Sequence, residues 1–309
     1  MKKGYHFYAI ITIIFWALGF VFTRLALQYF DAYSLSFLRY FSASITLIIC
    51  TYFIKINKPK KEDLITFFLA GCSGFFMYVI LFNNGTALVS AATSSIVIAM
   101  VPVITALLAS YIYNENLNLY QWFAIVIEFV GILVLTLMND SFSINKGILI
   151  LLVAAVCLAS YNILQRKITK KYSALQSSTY SIFFGTLMLC IFLPKSFIRL
   201  SSAPPIYIIY VLILGIFSSA IAYISWSKAI SLAEKTTYVS NYMFITPFLT
   251  TILGFIMIKE IPDKSTILGG IIILSGVFIF NKEGFLDFFK SKNININSSE
   301  DDNTTKDKT

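Results

Sequence analysis

Long apolar runs, separated by short polar segments, dominate the chain. The runs are continuous, as in LITFFLAGCSGFFMYVILF, and do not show the alternation of apolar and polar residues that is typical of a transmembrane β-strand. A helix needs about 20 apolar residues to cross the hydrocarbon core of a bilayer. The pattern therefore predicts an all-α integral membrane protein with ten transmembrane helices, at about 6–28, 34–54, 64–84, 91–113, 119–138, 147–166, 175–193, 205–227, 237–258 and 265–281.

Composition supports the same class. Of the 309 residues, 58% are hydrophobic and 13% are charged, whereas soluble domains have about 45–50% apolar and about 25% charged residues. The first run is too long for the apolar part of a signal peptide, and no small-residue cleavage site follows it, so we expect it to stay in the protein. The four cysteines lie in apolar runs and form no CxxC pair, which favours small buried side chains over a metal site.

The net charge of +9 is explained by topology rather than by nucleic-acid binding, because basic residues cluster at the ends of the apolar runs. With a cytoplasmic N-terminus, twelve basic residues fall in cytoplasmic segments and five outside. This predicts a multi-pass protein of the inner (cytoplasmic) membrane with both termini in the cytoplasm. The segment 282–309 is polar, and we expect a disordered cytoplasmic tail.

Two stretches of the chain have the same form. VPVITALLASYIYNE at 101–115 resembles TPFLTTILGFIMIKE at 246–260, so Pro102 and Pro247 are 145 residues apart, as are Glu115 and Glu260. Nearer the start of each half the offset is 142, and it pairs Arg24 with Arg166. A three-residue insertion before the ninth run accounts for the difference. The chain is therefore interpreted as two repeats, at 6–138 and 147–281.

Each repeat contains five predicted spans, so the second repeat begins on the opposite side of the membrane. Inverted repeats of this kind are a recurring architecture of transporters, in which substrate binds near the midplane between the halves. Channels and membrane enzymes also contain repeats. The inverted repeat therefore favours a transporter but does not by itself exclude these two classes.

The sequence resembles the EamA-type members of the drug/metabolite transporter superfamily. FWALGFVFTRLAL at 15–27 resembles the first span of that family, and SLSFLRYFSA at 34–43 resembles the second. The stretches from Pro102 to Glu115 and from Pro247 to Glu260, with the spans that follow them, resemble the ends of the two repeats. The resemblance covers about residues 8–281.

This resemblance implies two inverted five-helix repeats around a central cavity lined by spans one, three, four, six, eight and nine, with spans five and ten at the periphery. It also implies a substrate such as an amino acid, an amino-acid derivative, another metabolite or a drug, often exported and often coupled to protons. The sequence departs from the family pattern at three positions. Ser181 stands where the first repeat has Arg39, Leu158 replaces Trp16, and Glu128 occupies a position that is usually aliphatic.

Ionisable residues inside spans are functional candidates, because an unpaired charge in hydrocarbon costs several kcal/mol. Glu128 shares a helical face with small and polar residues in the fifth span, and it is either a proton-coupling carboxylate or a packing residue. Arg39 is expected to attract an anionic substrate or to pair with Asp31. Arg24 is expected to make the same kinds of interaction or to extend its side chain to the lipid headgroups.

Polar and aromatic residues of the cavity spans are the other substrate candidates, because a few donors and rings in a dry pocket are typical of small-molecule sites. With Arg39, the predicted cavity set comprises Trp16, Tyr78, Asn84, Tyr161, Asn162, Tyr223, Trp226, Tyr238, Asn241 and Tyr242. Pro102 and Pro247 are predicted hinges, since a proline inside a span frees backbone carbonyls. Glu115 and Glu260 are interpreted as turn residues.

Enzyme motifs are missing from the sequence, which has one histidine, His6, and no HExxH, GxSxG or P-loop pattern. We expect no enzymatic activity, no cofactor and no bound metal. The predicted function is secondary transport of a small molecule by alternating access. The two alternatives are a flippase for lipids or lipid-linked sugars and, less favoured, a membrane-bound enzyme. The expected partners are the bilayer, the substrate and a coupling proton, and the protein is a monomer or a homodimer.

Overall fold

A computed structural model describes residues 4–113, 117–138, 145–232, 239 and 241–280. Tyr238, Glu115 and the predicted tail at 282–309 lie outside this part of the chain. Every regular element within it is helical. The α-helices are α1 (Tyr5–Ala26), α2 (Ala32–Phe53), α3 (Leu64–Gly71), α4 (Tyr78–Leu88), α5 (Ala91–Ile98), α6 (Val101–Tyr113), α7 (Leu119–Leu137), α8 (Lys146–Ile168), α9 (Ala174–Leu189), α10 (Leu193–Ser201), α11 (Pro205–Leu212), α12 (Ala222–Leu232), α13 (Ile245–Ile258) and α14 (Lys264–Phe280).

Seven helical segments in the described ranges are long and apolar enough to cross a membrane. Three further apolar helices, at Leu119–Leu135, Ile245–Ile258 and Lys264–Phe280, are shorter. Large apolar side chains face outward along the helices, for example Phe129 at 62% and Ile48 at 56% exposure. A soluble protein does not leave so many large apolar side chains uncovered, and lipid is the environment that suits them. The protein is therefore a multi-pass membrane protein.

Two of the long segments contain a π-helical stretch that the apolar pattern does not predict. Cys72–Met77 connects α3 to α4, and Ile213–Ile221 connects α11 to α12. With the offset of 142, Cys72–Met77 corresponds to residues 214–219, so the two π segments occupy equivalent places in the two halves. Isolated π-helical turns often mark functional sites.

Polar caps fix several helix starts. Asp31 begins α2 by accepting hydrogen bonds from the backbone N–H groups of Tyr33 and Ser34, both at 3.2 Å. Its equivalent in the second half, Ser173, begins α9 with a capping box. Asp31 is also paired with Lys195 at 3.2 Å, and not with Arg39. Burial opposes ionisation of Asp31, but the hydrogen bonds from Ser34 and Lys195 outweigh it and lower the pKa of this carboxyl.

Contacts between the halves occur in pairs related by the two offsets. A Cβ on Gly131 would lie 2.6 Å from Ile273, and a Cβ on Gly276 would lie 2.6 Å from Glu128. Adding 145 to 131 gives 276, and adding 145 to 128 gives 273, so the second contact is the first with the two helices exchanged. These glycines allow α7 and α14 to pack closely against each other.

One hydrogen bond joins a residue to its own equivalent. The hydroxyls of Ser44 in α2 and Thr186 in α9 are 2.8 Å apart, and the two residues are separated by 142 positions. Equivalent residues of two repeats meet where the pseudo-two-fold axis passes between them. A pseudo-two-fold axis between the halves would therefore pass between α2 and α9.

Candidate functional site

An aromatic cluster lies where the two halves meet. The Trp16 ring of α1 lies 5.7 Å from the Tyr223 ring and 5.0 Å from the Trp226 ring, both on α12. Phe75, in the first π segment, lies 4.9 Å from Tyr161 of α8 and 5.2 Å from Tyr223. The cluster therefore joins four of the predicted cavity residues and adds Phe75, which the sequence reasoning missed.

The close approach of Tyr161 depends on a glycine in the first π segment. A Cβ on Gly74 would lie 2.6 Å from the Tyr161 ring, closer than two carbon atoms can approach without movement. No other residue leaves room for the ring at this position. The helix geometry and the glycine together bring Tyr161 from the second half against Phe75 of the first.

Arg39 lies beside this cluster and is 6% exposed. Its Nε donates to the Ser219 hydroxyl of the second π segment at 2.8 Å, and its guanidinium lies 5.6 Å from the centre of the Tyr40 ring. The guanidinium also interacts electrostatically with Tyr78 and Tyr223. Within the described ranges, no carboxylate pairs with Arg39 and its two terminal nitrogens make no hydrogen bond.

Tyr40 connects Arg39 to the aromatic cluster, since its ring lies 5.3 Å from the Phe75 ring. Its hydroxyl is buried and makes no hydrogen bond in the described part of the chain, although Ser219 and Tyr223 are close to it. The terminal nitrogens of Arg39 are thus available as donors, next to the buried Tyr40 hydroxyl. A carboxylate suits this position because it accepts from both.

The other predicted cavity residues have different surroundings. Tyr78 is buried and stacks on Phe82 at 5.5 Å. Asn84 donates to the carbonyl of Ile80 in its own helix at 2.7 Å, and Asn162 donates to Thr105 at 3.2 Å. Neither asparagine contacts the aromatic cluster through these bonds.

Two candidates lie toward the end of the bundle where α1 begins. Tyr242 forms a hydrogen bond with His6 at this end, which we call the N-terminal end. Asn241 lies in a short 3-10 helix, Asn241–Phe244, but its side chain is outside the described part of the structure, as is all of Tyr238.

The two prolines stand in first turns of helices, after interruptions. Pro102 is the second residue of α6, and α5 ends at Ile98. Pro247 is the third residue of α13, after the 3-10 helix. A proline is tolerated in a first helical turn, where its missing N–H has no partner within the helix. Each proline thus lies next to a break in a span.

Glu128 is fully buried in the interface of α7 and α14. Its Cγ packs over Gly276 of α14. This contact is equivalent to that of Ile273, which packs over Gly131 of α7. Neither carboxyl oxygen has a hydrogen-bond partner in the described ranges. The neutral acid suits these surroundings, since a carboxylate buried without donors is strongly unfavourable.

A salt bridge that the sequence reasoning missed joins the two halves at the other end of the bundle, which we call the distal end. The Nε of Arg24, in the last turn of α1, lies 2.9 Å from Oε1 of Glu260, just after α13. Glu260 is therefore more than a turn residue. The repeat offsets carried a signal for this pair, because they place arginine and glutamate at corresponding positions in both halves.

A cavity of about 290 Å³ lies at the distal end beside Arg24, away from the aromatic cluster. Its walls include Ser265 and Thr266 of α14, together with Asp263. Burial opposes ionisation of Asp263, but hydrogen bonds from Thr266 and Ser265 outweigh it and lower the pKa of this carboxyl. The cavity therefore presents both an arginine and an ionised carboxylate at neutral pH.

The model of the EamA-like transporter family matches residues 3–137 and again residues 145–282. The chain belongs to the EamA-like transporter family. The two matches cover nearly all the helical part of the protein. They agree with the resemblance seen in the first two spans and at the two proline–glutamate stretches.

Relatives of this EamA-like protein are named as transporters. It is 28% identical to the uncharacterized transporter YdfC of Bacillus subtilis, over 85% of this chain and 86% of that one. It is 26% identical to a probable terminal-alkyne amino-acid exporter of Streptantibioticus cattleyicolor, over 88% and 92% of the two chains. The S-adenosylmethionine uptake transporter of Rickettsia prowazekii is 26% identical, over 82% and 84%.

A crystal structure of another protein has the same fold. The EamA-like chain superposes on it with a TM-score of 0.63 at 15% identity, and the match covers 90% of this chain and 96% of the other. At this identity the match shows the fold alone.

Proposed function

We propose that the protein is a secondary transporter that moves a small carboxylate-bearing metabolite, such as an amino acid or a derivative, across the inner membrane by alternating access. The observation that carries the substrate class is Arg39, a buried cation with free donors beside the aromatic cluster between the halves. Its guanidinium is suited to a carboxylate, and the rings are suited to the rest of a small organic molecule.

The site is single although the fold is repeated. The position equivalent to Arg39 is Ser181, and the position equivalent to Trp16 is Leu158. The arginine and the tryptophan therefore occur in one half only, so the substrate binds in one orientation. The relatives named for an amino-acid exporter and for S-adenosylmethionine uptake support a small-molecule substrate with a carboxylate.

The transport cycle rests on the inverted architecture. Ten spans in two inverted repeats account for the paired contacts between halves and for α8 beginning at the distal end while α1 begins at the N-terminal end. The breaks before Pro102 and Pro247 supply hinges in the fourth and ninth spans. The excess of basic residues in one set of loops supports cytoplasmic termini, and with that orientation the distal end faces outward. Export is the proposed direction.

The test is uptake by proteoliposomes of the purified protein, with amino acids, nucleosides and cationic dyes as solutes, each with and without a pH gradient. We expect uptake of a carboxylate-bearing solute and its loss, by tenfold or more, in Arg39→Gln, since the removal of a partner from a charge-assisted hydrogen bond costs about 1.5–3 kcal/mol. Arg199→Gln, which removes an exposed arginine of α10, is the matched control.

Three results would contradict the proposal. Uptake of cationic dyes alone would exclude the carboxylate site, and unchanged uptake in Arg39→Gln would remove Arg39 from it. Scrambling of lipids without solute uptake would favour the flippase alternative. Melting temperatures of both variants in detergent distinguish loss of binding from loss of folding.

A further inference from the structure

We propose that the cavity at the distal end is a second binding site, and that it takes an amino-acid zwitterion, with the carboxylate on Arg24 and the ammonium group on Asp263. This inference rests on the proposed function, because it takes the ligand to be the transported solute and narrows that solute from a carboxylate to an amino acid. The cavity lies away from the aromatic cluster, so the two sites can be tested separately.

The positive side of the cavity is a guanidinium that is held in place with one nitrogen free of hydrogen bonds. Nε of Arg24 donates to Oε1 of Glu260 at 2.9 Å, and Nη1 donates to the carbonyls of Thr86 and Ala87 at 3.1 Å each. Among the residues that the structure describes, Nη2 has no partner. Three hydrogen bonds fix the plane of the guanidinium, so Nη2 is a preorganised donor for a carboxylate.

The negative side of the cavity is Asp263, the residue before α14. Its Oδ1 accepts from the backbone N–H of Thr266 at 2.7 Å and from the hydroxyl of Ser265 at 3.1 Å. Within the described ranges, no lysine or arginine forms an ion pair with this carboxylate. Because both hydrogen bonds use Oδ1, an ammonium group can pair with Oδ2, and such charge-assisted contacts are strong.

Hydroxyls and aliphatic side chains form the rest of the wall. The hydroxyl of Thr93 lies 2.8 Å from those of Ser90 and Thr266, so a short chain of hydrogen bonds joins the two halves beside the cavity. The aliphatic residues of the wall are Leu88, Val89, Leu135, Ile148 and Ile261. The volume of about 290 Å³ is close to the lower end of the about 300–1,000 Å³ that is typical of small-molecule sites. These features suit a small molecule with charged groups and an aliphatic part.

The repeat shows that the charge of Asp263 is not needed for the helix to start. With the offset of 145, the equivalent of Asp263 is Asn118, which stands before α7 as Asp263 stands before α14. Asparagine and aspartate cap helices about equally well. The fold therefore explains an oxygen at this position but not a carboxylate, and binding of an ammonium group gives the charge a role.

Protection of a cysteine from labelling tests the site without transport. Ile261 lies in the cavity wall and is 76% exposed, so Ile261→Cys, in a variant without the native cysteines, is open to maleimide. Labelling of the purified protein in detergent is timed with L-alanine, L-leucine or L-phenylalanine present. For an amino acid that binds, at about ten times its half-protecting concentration, we expect labelling to slow by about tenfold, since only the ligand-free protein reacts. Ser201→Cys, exposed at the end of α10, is the control probe and should be labelled at an unchanged rate.

Two analogues of L-leucine separate the two charges. Isocaproate lacks the ammonium group, and isoamylamine lacks the carboxylate. We expect each analogue to need a concentration about tenfold or more above that of L-leucine for the same protection, because each loses one charge-assisted contact. Equal protection by L-leucine and isocaproate would overturn the zwitterion site, as would the absence of protection by all three amino acids.

Asp263→Asn should remove the advantage of L-leucine over isocaproate. Asparagine keeps the capping oxygen, and the first repeat carries it at the equivalent place, so we expect this variant to fold. Asp31→Asn is the matched control, because Asp31 also stands before a helix at the distal end but does not line the cavity. Protection should be unchanged in Asp31→Asn. An undiminished advantage of L-leucine in Asp263→Asn would overturn the proposal, and melting temperatures show whether each variant is folded.

Failure of this site and failure of the proposed function give different results. Protection should persist in Arg39→Gln, and its loss there would assign the effect to the Arg39 site and overturn a second one. If amino acids protect as expected but proteoliposomes take up no solute, the distal site stands and the carrier assignment fails. If uptake is normal and no amino acid protects, the carrier stands and the distal site fails.

Discussion

Individual residues gain their meaning here from comparison with their equivalents in the other half. Glu128 illustrates this, because an ionisable group in a span invites a functional interpretation. Its equivalent is Ile273, and each of the two side chains packs over a glycine of the opposite helix. The geometry favours a packing role for Glu128, and proton coupling stays a hypothesis that a substitution can test.

We expect Glu128→Ile to fold and to transport. It replaces a carboxyl without hydrogen-bond partners by the side chain that already fills the equivalent place, so the free energy of unfolding should be unchanged or should rise by about 1 kcal/mol. Glu128→Gln provides a second variant of nearly the same volume. Detergent melting and proteoliposome uptake with and without a pH gradient are the measurements. Loss of the dependence on pH in both variants would establish proton coupling instead.

At the scale of elements, helices are interrupted beside the proposed site, since Phe75 and Ser219 lie in the two π segments. The apolar pattern predicted helical spans, since lipid demands continuous apolar runs and satisfied backbone groups, and seven helical segments of the described ranges are long and apolar enough to be spans. It did not predict the π segments at Cys72–Met77 and Ile213–Ile221, because a π turn requires no particular apolar periodicity. The pattern also did not distinguish Asn84 from Asn83. Asn84 donates a hydrogen bond within its own helix, whereas Asn83 is fully buried and donates to Ser36 of α2 at 2.9 Å.

Pro102→Ala is expected to slow transport and to leave stability nearly unchanged. Alanine lets the N–H at position 102 join a continuous helix across the break after Ile98, which stiffens the hinge. In a first turn this change alters the free energy of unfolding by about 1 kcal/mol or less. Initial uptake rates and melting temperatures are the measurements.

Pro194→Ala is the matched control for this variant, because Pro194 also lies in a first turn, in α10 at the distal end. It should leave the uptake rate unchanged. An unchanged rate in Pro102→Ala would remove the hinge role, and equal losses in both variants would indicate a general effect on the fold.

At the scale of the whole molecule, contacts between the halves occur in pairs, as a pseudo-two-fold axis between inverted repeats requires. The sequence repeat predicted that such an axis exists, because five spans per repeat invert the second copy. Its position between α2 and α9 could not be predicted, since it depends on which helix faces meet. The Arg39 site was predicted only in part for the same reason. Its partners Ser219 and Tyr40 are brought to it by packing between distant segments.

A cross-link on the axis should leave transport intact, and one away from it should not. Two double-cysteine variants are matched to each other. One combines Ser44→Cys with Thr186→Cys, and the other combines Thr93→Cys with Thr266→Cys. In each parent contact, two hydroxyls from different halves lie 2.8 Å apart. A contact between equivalent residues maps onto itself when the two halves exchange conformations, so its length is the same in both end states of the cycle. We expect oxidation to stop uptake only in the second variant, with recovery on reduction. Block by both cross-links would contradict a cycle in which the two halves exchange conformations.

The paired π segments have a consequence for how the protein can change. A π turn holds one residue more than a turn of the α-helix around it, so loss of a single residue there restores a regular helix and leaves the helix beyond it facing the same way. In the first half Tyr78 and Asn83 would keep their faces, and in the second half Tyr223 and Trp226 would keep theirs. A one-residue deletion inside a membrane span, normally disruptive, should therefore be tolerated at these two segments, where it changes only the local lining.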